Sequence, residues 1–201
     1  MIKVFHIVNS VFTSRTYILS KEGCPDFWLV DCGDIDVLMN QLYSQSGSNF
    51  SIRGVLLTHA HYDHIYGLPR LMELFPDAKI YTNDFGKLAL ADDRLNYSKY
   101  HYVPIVIESE NVVVYDEGVK VDLFDGAVAN VYHTPGHNPS CLTYEVGEYL
   151  LTGDAYIPGV KVVTTFKGGD KKLAAESVER IMMLAEGKII CPGHEVLENK
   201  M

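Results

Sequence analysis

Three histidines and an aspartate stand within six positions in "HAHYDH", His59 to His64. Histidine is the commonest protein ligand for metal ions, and carboxylates share that work. The chemistry such a set supports is cation binding. The run follows the apolar stretch "SIRGVLLT", and the end of a buried strand is a rigid mount for a site. If the run continued as a strand, His59, His61 and Asp63 would share a face. If it turned into a helix, His64 would swing to another side. Three later pieces repeat the arrangement. "HTPGHN" carries His137, "LTGDAY" carries Asp154 and "CPGHE" carries His194, each donor at the end of an apolar strand beside glycine. Five of the eight histidines fall in these pieces. Of the others, His6 reads as a core residue, His101 as a loop residue and His133 as a structural neighbour of His137 rather than a ligand.

The elements that must carry these donors are short β-rich segments separated by turns. "KVFHIVN", "TYILS" and "FWLVDCG" read as strands. "DIDVLMNQLYSQ" reads as a helix capped by Asp34, with Ile35, Leu38, Met39 and Leu42 on one face. "GLPRLMELF" is a short helix stopped at Pro76, "AKIYTN" a strand and "DFGKLALADD" a further helix. Residues 94–104, "RLNYSKYHYVP", form an aromatic, irregular loop whose Tyr97, Tyr100 and Tyr102 read as a lid. "VVVYDEG", "KVDLFDG", "VANVYHTPG", "CLTYEV" and "YLLTGD" are strands between Gly, Asp and Pro turns. Lys171 to Glu186 has helical spacing, and "KIICPGH" is a last strand. The second half repeats the plan of the first. This order suggests two βα halves, sheets face to face and helices outside, in one domain over residues 1–201.

In the identity and order of its donors the chain resembles the metallo-β-lactamase fold superfamily of hydrolases. That family's pattern is a HxHxDH run, then a distant His, an Asp and a final His. All seven positions are filled here, and the resemblance covers nearly the whole chain. It implies an α+β fold, the four-layer αβ/βα sandwich, with two mixed sheets, helices on the outer faces and the site at one edge between the sheets. It implies that His59, His61 and His137 hold one divalent ion and that Asp63, His64 and His194 hold a second. Asp154 would bridge the two. Zinc is the usual ion, with manganese and iron as the other candidates. Asp31 would lie beneath the histidine loop and hydrogen-bond within the site. Cys191 reads as a buried hydrophobe, with support of His194 as its other role.

Two cations about 3.5–4 Å apart can share a water and lower its pKa, so hydroxide exists at neutral pH. Asp63 would accept a hydrogen bond from that water and orient it. No Ser-His-Asp triad is needed, and no nucleophile motif supplies one. Asp154 in the bridging position disfavours antibiotic hydrolysis, because zinc β-lactamases generally carry another residue there. His61, where glutamate would stand, argues against the flavodoxin-linked di-iron branch. "THAHYDH", and "NYS" at Asn96–Ser98, look most like the glyoxalase II-like branch. Full-length glyoxalase II has a C-terminal helical domain that helps to bind glutathione, whereas this chain stops seven residues after His194. Hydroxyacylglutathione is therefore not the expected substrate. Arg15 stands where relatives often have asparagine. Tyr156 is the candidate oxyanion donor, as a tyrosine is in some lactonase relatives. Lys161 and Lys167 could attract an anionic substrate, although surface lysines are the default. The expectation is a dinuclear metal-dependent hydrolase of a small ester, thioester or lactone. The alternatives are a mononuclear iron persulfide dioxygenase and a metal-binding protein without turnover.

Bulk properties limit the partners. At 47% hydrophobic and 21% charged residues the chain can bury a sizeable core. A net charge of -9 repels phosphate backbones. No apolar run approaches the ~18 residues of a membrane span. A small-molecule substrate is expected, without nucleic acid or membrane, and a homodimer is left open. Cys24, Cys32, Cys141 and Cys191 form no CxxC pair, and the first residues lack the apolar region of a signal peptide. The expected compartment is the cytoplasm.

Overall fold

In the computed structural model, which describes residues 1–195, the apolar runs become the strands of two sheets. The first sheet is β1 (Ile2–Val8), β2 (Arg15–Lys21), β3 (Asp26–Val30), β4 (Ser51–Leu56), β5 (Lys79–Thr82) and β6 (Val112–Val114), paired in that order. β1, β2 and β3 run antiparallel, and β3 to β6 run parallel. Parallel neighbours need crossovers. α1 (Ile35–Ser46), the short α2 (Tyr62–Ile65), α3 (Leu68–Leu74) and α4 (Asp84–Leu90) lie on those connections. The second sheet holds β7 (Lys120–Phe124), β8 (Ala127–His133), β9 (Leu142–Val146) and β10 (Tyr149–Gly153) as an antiparallel meander. α5 (Lys171–Leu184) then crosses over to lay β11 (Ile189–Pro192) parallel to β10.

Period-two alternation sorts the side chains into layers. In β3, Phe27 and Leu29 face the helices of the first half, while Trp28 and Val30 face the second sheet. Tyr17, Leu19 and Leu56 meet Val131, Tyr144 and Leu151 between the sheets. Leu38 and Leu42 of α1 and Leu71 of α3 cover one outer face, and Ile181 of α5 covers Leu150 on the other. Each fully buried Leu or Ile contributes roughly 1.5–3 kcal/mol relative to exposure. The layers make the α+β, four-layer αβ/βα sandwich that the resemblance implies. Cys191 lies in the core between the sheets, as a buried hydrophobe. No helix among the described residues is long and apolar enough to cross a membrane.

Two local expectations change. Asp34 precedes α1, but its side chain makes no capping bond there. It accepts from Ser10 N at 2.6 Å and from the Tyr66 hydroxyl at 2.6 Å, tying the β1–β2 loop to the segment after the donor run. "VVVYDEG" does not open the second half: its strand, β6, adds to β5 at the edge of the first sheet. Among the described residues the halves are therefore unequal, six strands with four α-helices against five strands with one.

Candidate metal centre

The donors leave one rim of the sandwich. His59 and His61 follow β4, Asp63 and His64 lie in α2, and His137, Asp154 and His194 follow β8, β10 and β11. α2 resolves the geometry of the run. His61 is its N-cap, with extended backbone (φ −76°, ψ 151°), and the chain turns helical at the next residue. His59 and His61 thus precede the turn, and Asp63 and His64 swing to another side. The Ser14 hydroxyl donates to the carbonyl of Asp63 at 2.7 Å and pins this turn. Glycine supplies close approach at two points. A Cβ on Gly193 would stand 2.2 Å from Asp154 Oδ1. Gly136, at φ 133°, would meet the backbone nitrogen of Ala174 at 2.3 Å.

Four of the five donor histidines have their outward nitrogen anchored. His59 Nδ1 lies 3.3 Å from Thr58 Oγ1, and His64 Nδ1 lies 2.8 Å from Asp31 Oδ2. His137 Nδ1 lies 2.7 Å from the carbonyl of Val163, and His194 Nδ1 lies 2.8 Å from that of Phe12. A proton on each Nδ1 leaves the Nε2 lone pair free and pointed inward. His61 is turned the other way, with Nδ1 3.0 Å from His137 Nε2 and Nε2 2.9 Å from Asn138 Nδ2. Asp31 is itself held in a left-handed conformation (φ 59°). Its carboxylate accepts from the nitrogen and the hydroxyl of Thr58, both at 2.7 Å.

Donor atoms of His59, His61 and His137 lie within 4.8 Å of one another, as do those of Asp63, His64 and His194, and those of His59, His64 and Asp154. Asp154 spans the set. Its Oδ2 is 3.6 Å from His137 Nε2 and 3.2 Å from His194 Nε2, and its Oδ1 is 3.6 Å from His64 Nε2. Asp63 Oδ2 is 3.2 Å from His194 Nε2 and 3.4 Å from His64 Nε2. His59 Nε2 and Asp154 Oδ1 are buried without a hydrogen-bond partner. Each such orphan costs about 1–3 kcal/mol. Both are metal-ligand atoms facing other metal-ligand atoms, and divalent cations satisfy such a set. The residues fit the two ions expected from the sequence.

Charge is distributed unevenly. Burial, helped by neighbouring imidazoles, drives His59 well below its ordinary pKa and His61 to about 3. Burial lowers His137 as well. Burial also opposes charge on His64 and His194, but carboxylates outweigh it. Asp63, Asp31 and Asp154 lift His64 to about 9, and Asp154 and Asp63 lift His194 to about 11. For Asp63 and Asp154, burial opposes ionisation, yet His64 and His194 hold both carboxyls below their usual range.

A cavity of about 390 Å³ opens over the cluster. Tyr97, Val163 and Phe166 form its wall beside His61 and His137, and Phe12, Tyr62 and His101 line it together with Asp63 and His194. No Lys or Arg lines it among the described residues. The Tyr97 hydroxyl accepts from Lys167 N at 2.7 Å, which buttons the two loops together. "NYS" is a staple: Asn96 and Ser98 are fully buried, and Asn96 Nδ2 donates to the carbonyls of Ala89 and Ile105, each at 2.9 Å. Tyr100 reaches the cavity, and Tyr102 is exposed outside it. The structure does not bring Tyr156 to the cluster. It packs against the Cys141–Ile181 cluster and lines a separate cavity of about 580 Å³ with Val160, Lys161 and residues of α5. His133 also stays outside the cluster, its carbonyl accepting from Arg180 at 3.1 Å. His101 and Asn138 are the residues that sequence reasoning passed over. Only the position of Asn138 next to His137 was a usable signal.

A family model described as the metallo-beta-lactamase superfamily matches residues 25–194. The chain is similar to "Probable metallo-hydrolase YqgX" of Bacillus subtilis (strain 168), at 26% identity over 93% of this chain and 87% of that one. It is similar to a "Hydroxyacylglutathione hydrolase" of Xylella fastidiosa (strain 9a5c), at 31% identity over 70% of this chain, and there it spans 46% of the relative. Its fold is that of the BLEG-1 B3 metallo-beta-lactamase, with a TM-score of 0.84 at 24% identity over 96% of this chain and 92% of that one. The matched span encloses all seven donors and every strand that mounts them. The chain therefore belongs to the metallo-β-lactamase superfamily.

Proposed function

We propose that this superfamily hydrolase is a dinuclear metalloenzyme, with zinc as the first candidate ion, that cleaves a small ester, thioester or lactone. The observation that carries this reading is the pair of donor triads joined by Asp154, whose oxygens face donors of both. Bound there, two cations supply Lewis acidity toward a carbonyl oxygen and a water that ionises near neutral pH. The chain's own residues do the rest. The anchors on Nδ1 of His59, His64, His137 and His194 fix the imidazoles in advance, so little reorganisation accompanies the reaction. Asp63, kept ionised by His64 and His194, accepts a hydrogen bond from the attacking water and aims its lone pair at the substrate. Phe12, Tyr97 and Phe166 exclude bulk water and seat an apolar flank of a small-molecule substrate. The lack of Lys or Arg in the cavity lining among the described residues supports a substrate without an anionic head. Similarity to a hydroxyacylglutathione hydrolase supports an acyl bond as the target. The shared part is less than half of that relative, so glutathione does not carry over.

Elemental analysis of protein purified without added metal or chelator, followed by an ester, thioester and lactone panel, tests the reading. Two zinc or manganese ions per chain with turnover of one class is the expected result. One iron per chain with oxygen uptake and no hydrolysis would replace it with a persulfide dioxygenase. Bound metal without turnover would leave a binding protein.

A further inference from the structure

We propose that His101 is a further catalytic residue, the proton donor to the departing group, and that this group is an alcohol rather than a thiol. The inference rests on the hydrolytic reading above and names its substrate class. Four imidazoles line the cavity, and three of them, His61, His137 and His194, belong to the donor set. His101 is the fourth. It is held by ring faces rather than by an anchor on Nδ1. It stacks on Tyr62 at 3.8 Å with an interplanar angle of 10°, and it meets Phe12 edge-on at 6.0 Å. Those contacts set the plane of the ring, and His101 lines the cavity.

Its position is specific to one side. Tyr62 immediately precedes Asp63, and the carbonyl of Phe12 holds His194. His101 therefore belongs to the wall over the Asp63/His194 side. Tyr97 and Phe166 pack on His61 over the opposite side. An acyl group seated on Tyr97 and Phe166 directs its leaving group toward His101. The loop is built to hold this placement. Tyr97 takes a left-handed backbone (φ 65°), a conformation that costs of order 1–3 kcal/mol and persists where the surroundings over-determine it. Here the surroundings are the buried Asn96 and Ser98. Ser98 Oγ accepts from Ile105 N at 2.7 Å, and the carbonyl of Ser98 accepts from His101 N at 2.9 Å.

The chemistry balances. A C–O bond forms from water to the acyl carbon, and the bond from that carbon to the leaving oxygen breaks with its electron pair on oxygen. His101 gives that oxygen a proton, and the proton lost by the water returns to His101. The sum is ester plus water to carboxylic acid plus alcohol. An alkoxide, nearly as basic as hydroxide, whose conjugate acid water has a pKa of about 15.7, needs such a donor. A thiolate, with a conjugate acid near 8.5, leaves without one. A proton donor built over this side matches the poorer leaving group.

The test uses metal-loaded protein and three substrates that share one acyl group: an alkyl ester, a 4-nitrophenyl ester and an alkyl thioester. His101→Phe keeps the ring stack and removes the proton, and His101→Gln keeps polarity without the acid. In both variants the ratio of alkyl-ester to nitrophenyl-ester turnover is expected to fall by about 10²-fold, the scale of general acid catalysis, with metal content unchanged. An equal loss on all three substrates, or no loss, would make His101 a lid residue and overturn the proposal alone. Wild-type turnover of the thioester without the alkyl ester would also overturn it. No wild-type turnover on any ester, thioester or lactone would remove the hydrolytic reading and the proposal with it.

Discussion

The two donor triads meet at Asp154 and differ in what they hold before any cation arrives. His59, His61 and His137 form a neutral face of nitrogen donors, with burial keeping their protons off. Asp63, His64 and His194 lie among carboxylates, with Asp31 behind His64, and two of the three carry protons at neutral pH. The first triad can take a cation without displacing a proton. The second already balances its carboxylates with imidazolium charge, which a cation must replace. Three histidines in one triad, and two histidines with Asp63 in the other, therefore make two positions of different character. On the dinuclear reading, the first position is expected to fill before the second.

Asp154→Ala carries the largest expected effect, because Asp154 alone serves both positions. Both ions are expected to leave. Turnover is expected to fall by more than the ~10²–10³-fold that losing one electrostatic contact costs. Metal counting beside kinetics checks this, and retention of two ions at full rate would break the comparison. Asp63→Asn comes next. It keeps the volume but removes the charge and the acceptor that orients water. Bound metal is expected to drop from two ions to one, with a rate loss of about 10²–10⁴-fold. A near-normal rate would show that the second triad is not part of the reaction.

pH separates the triads without mutation. His64 at about 9 and His194 at about 11 are protonated at pH 7 in the metal-free protein. Cation affinity at the second position is expected to rise with pH up to about 11, most steeply below about 9, and to weaken as pH falls, by up to about tenfold per unit for each proton displaced. The first position is expected to stay flat from pH 7 upward, since its imidazoles are already neutral. Zinc titrations against a competing chelator at pH 6, 7 and 8 read both slopes, and equal slopes would erase the distinction. The metal-free chain carries the matching signature. Raised histidine pKa values contribute stability that is complete below the unfolded value near 6.5 and is lost as pH climbs through 9. Its melting temperature is therefore expected to fall between pH 6.5 and 9. Asp31→Asn is a milder probe of the same side. Asparagine tolerates the left-handed backbone at φ 59°. Loss of the charge behind His64 is expected to weaken the second ion about 10–100-fold and to leave the first unchanged.

The donor segments were legible because His59, His61, His137, Asp154 and His194 follow apolar strands, and Asp63 and His64 lie in the turn of helix directly after the first of them. The layers were legible for a similar reason. Alternation in β3 separates Trp28 and Val30 from Phe27 and Leu29 without knowledge of any partner. What stayed hidden depends on contacts between distant segments. β6 has only three residues, and nothing within them says which sheet they join. Asp34 looks like a helix cap until Ser10 and Tyr66 compete for its oxygens. His101 gains its place from a stack on Tyr62 that no spacing rule contains.

Tyr156 shows the limit most directly, and it yields the smallest expected effect. It sits two residues after Asp154, and the likeness to a tyrosine of some lactonase relatives makes it the candidate oxyanion donor. The chain turns in between. The Thr152 hydroxyl donates to the Tyr156 carbonyl at 2.7 Å, and the side chain packs toward α5 with Cys141, Leu150 and Ile181. An oxyanion donor must reach the carbonyl oxygen in the cavity over the donor cluster, and Tyr156 lines the other cavity. Tyr156→Phe is therefore expected to leave kcat and KM unchanged, where removal of a true donor costs about 2.7–4 kcal/mol in the transition state. A loss of that size would mean that Tyr156 swings across the Val160–Val163 segment when substrate binds. It would also mean that the wall beside His137 is movable.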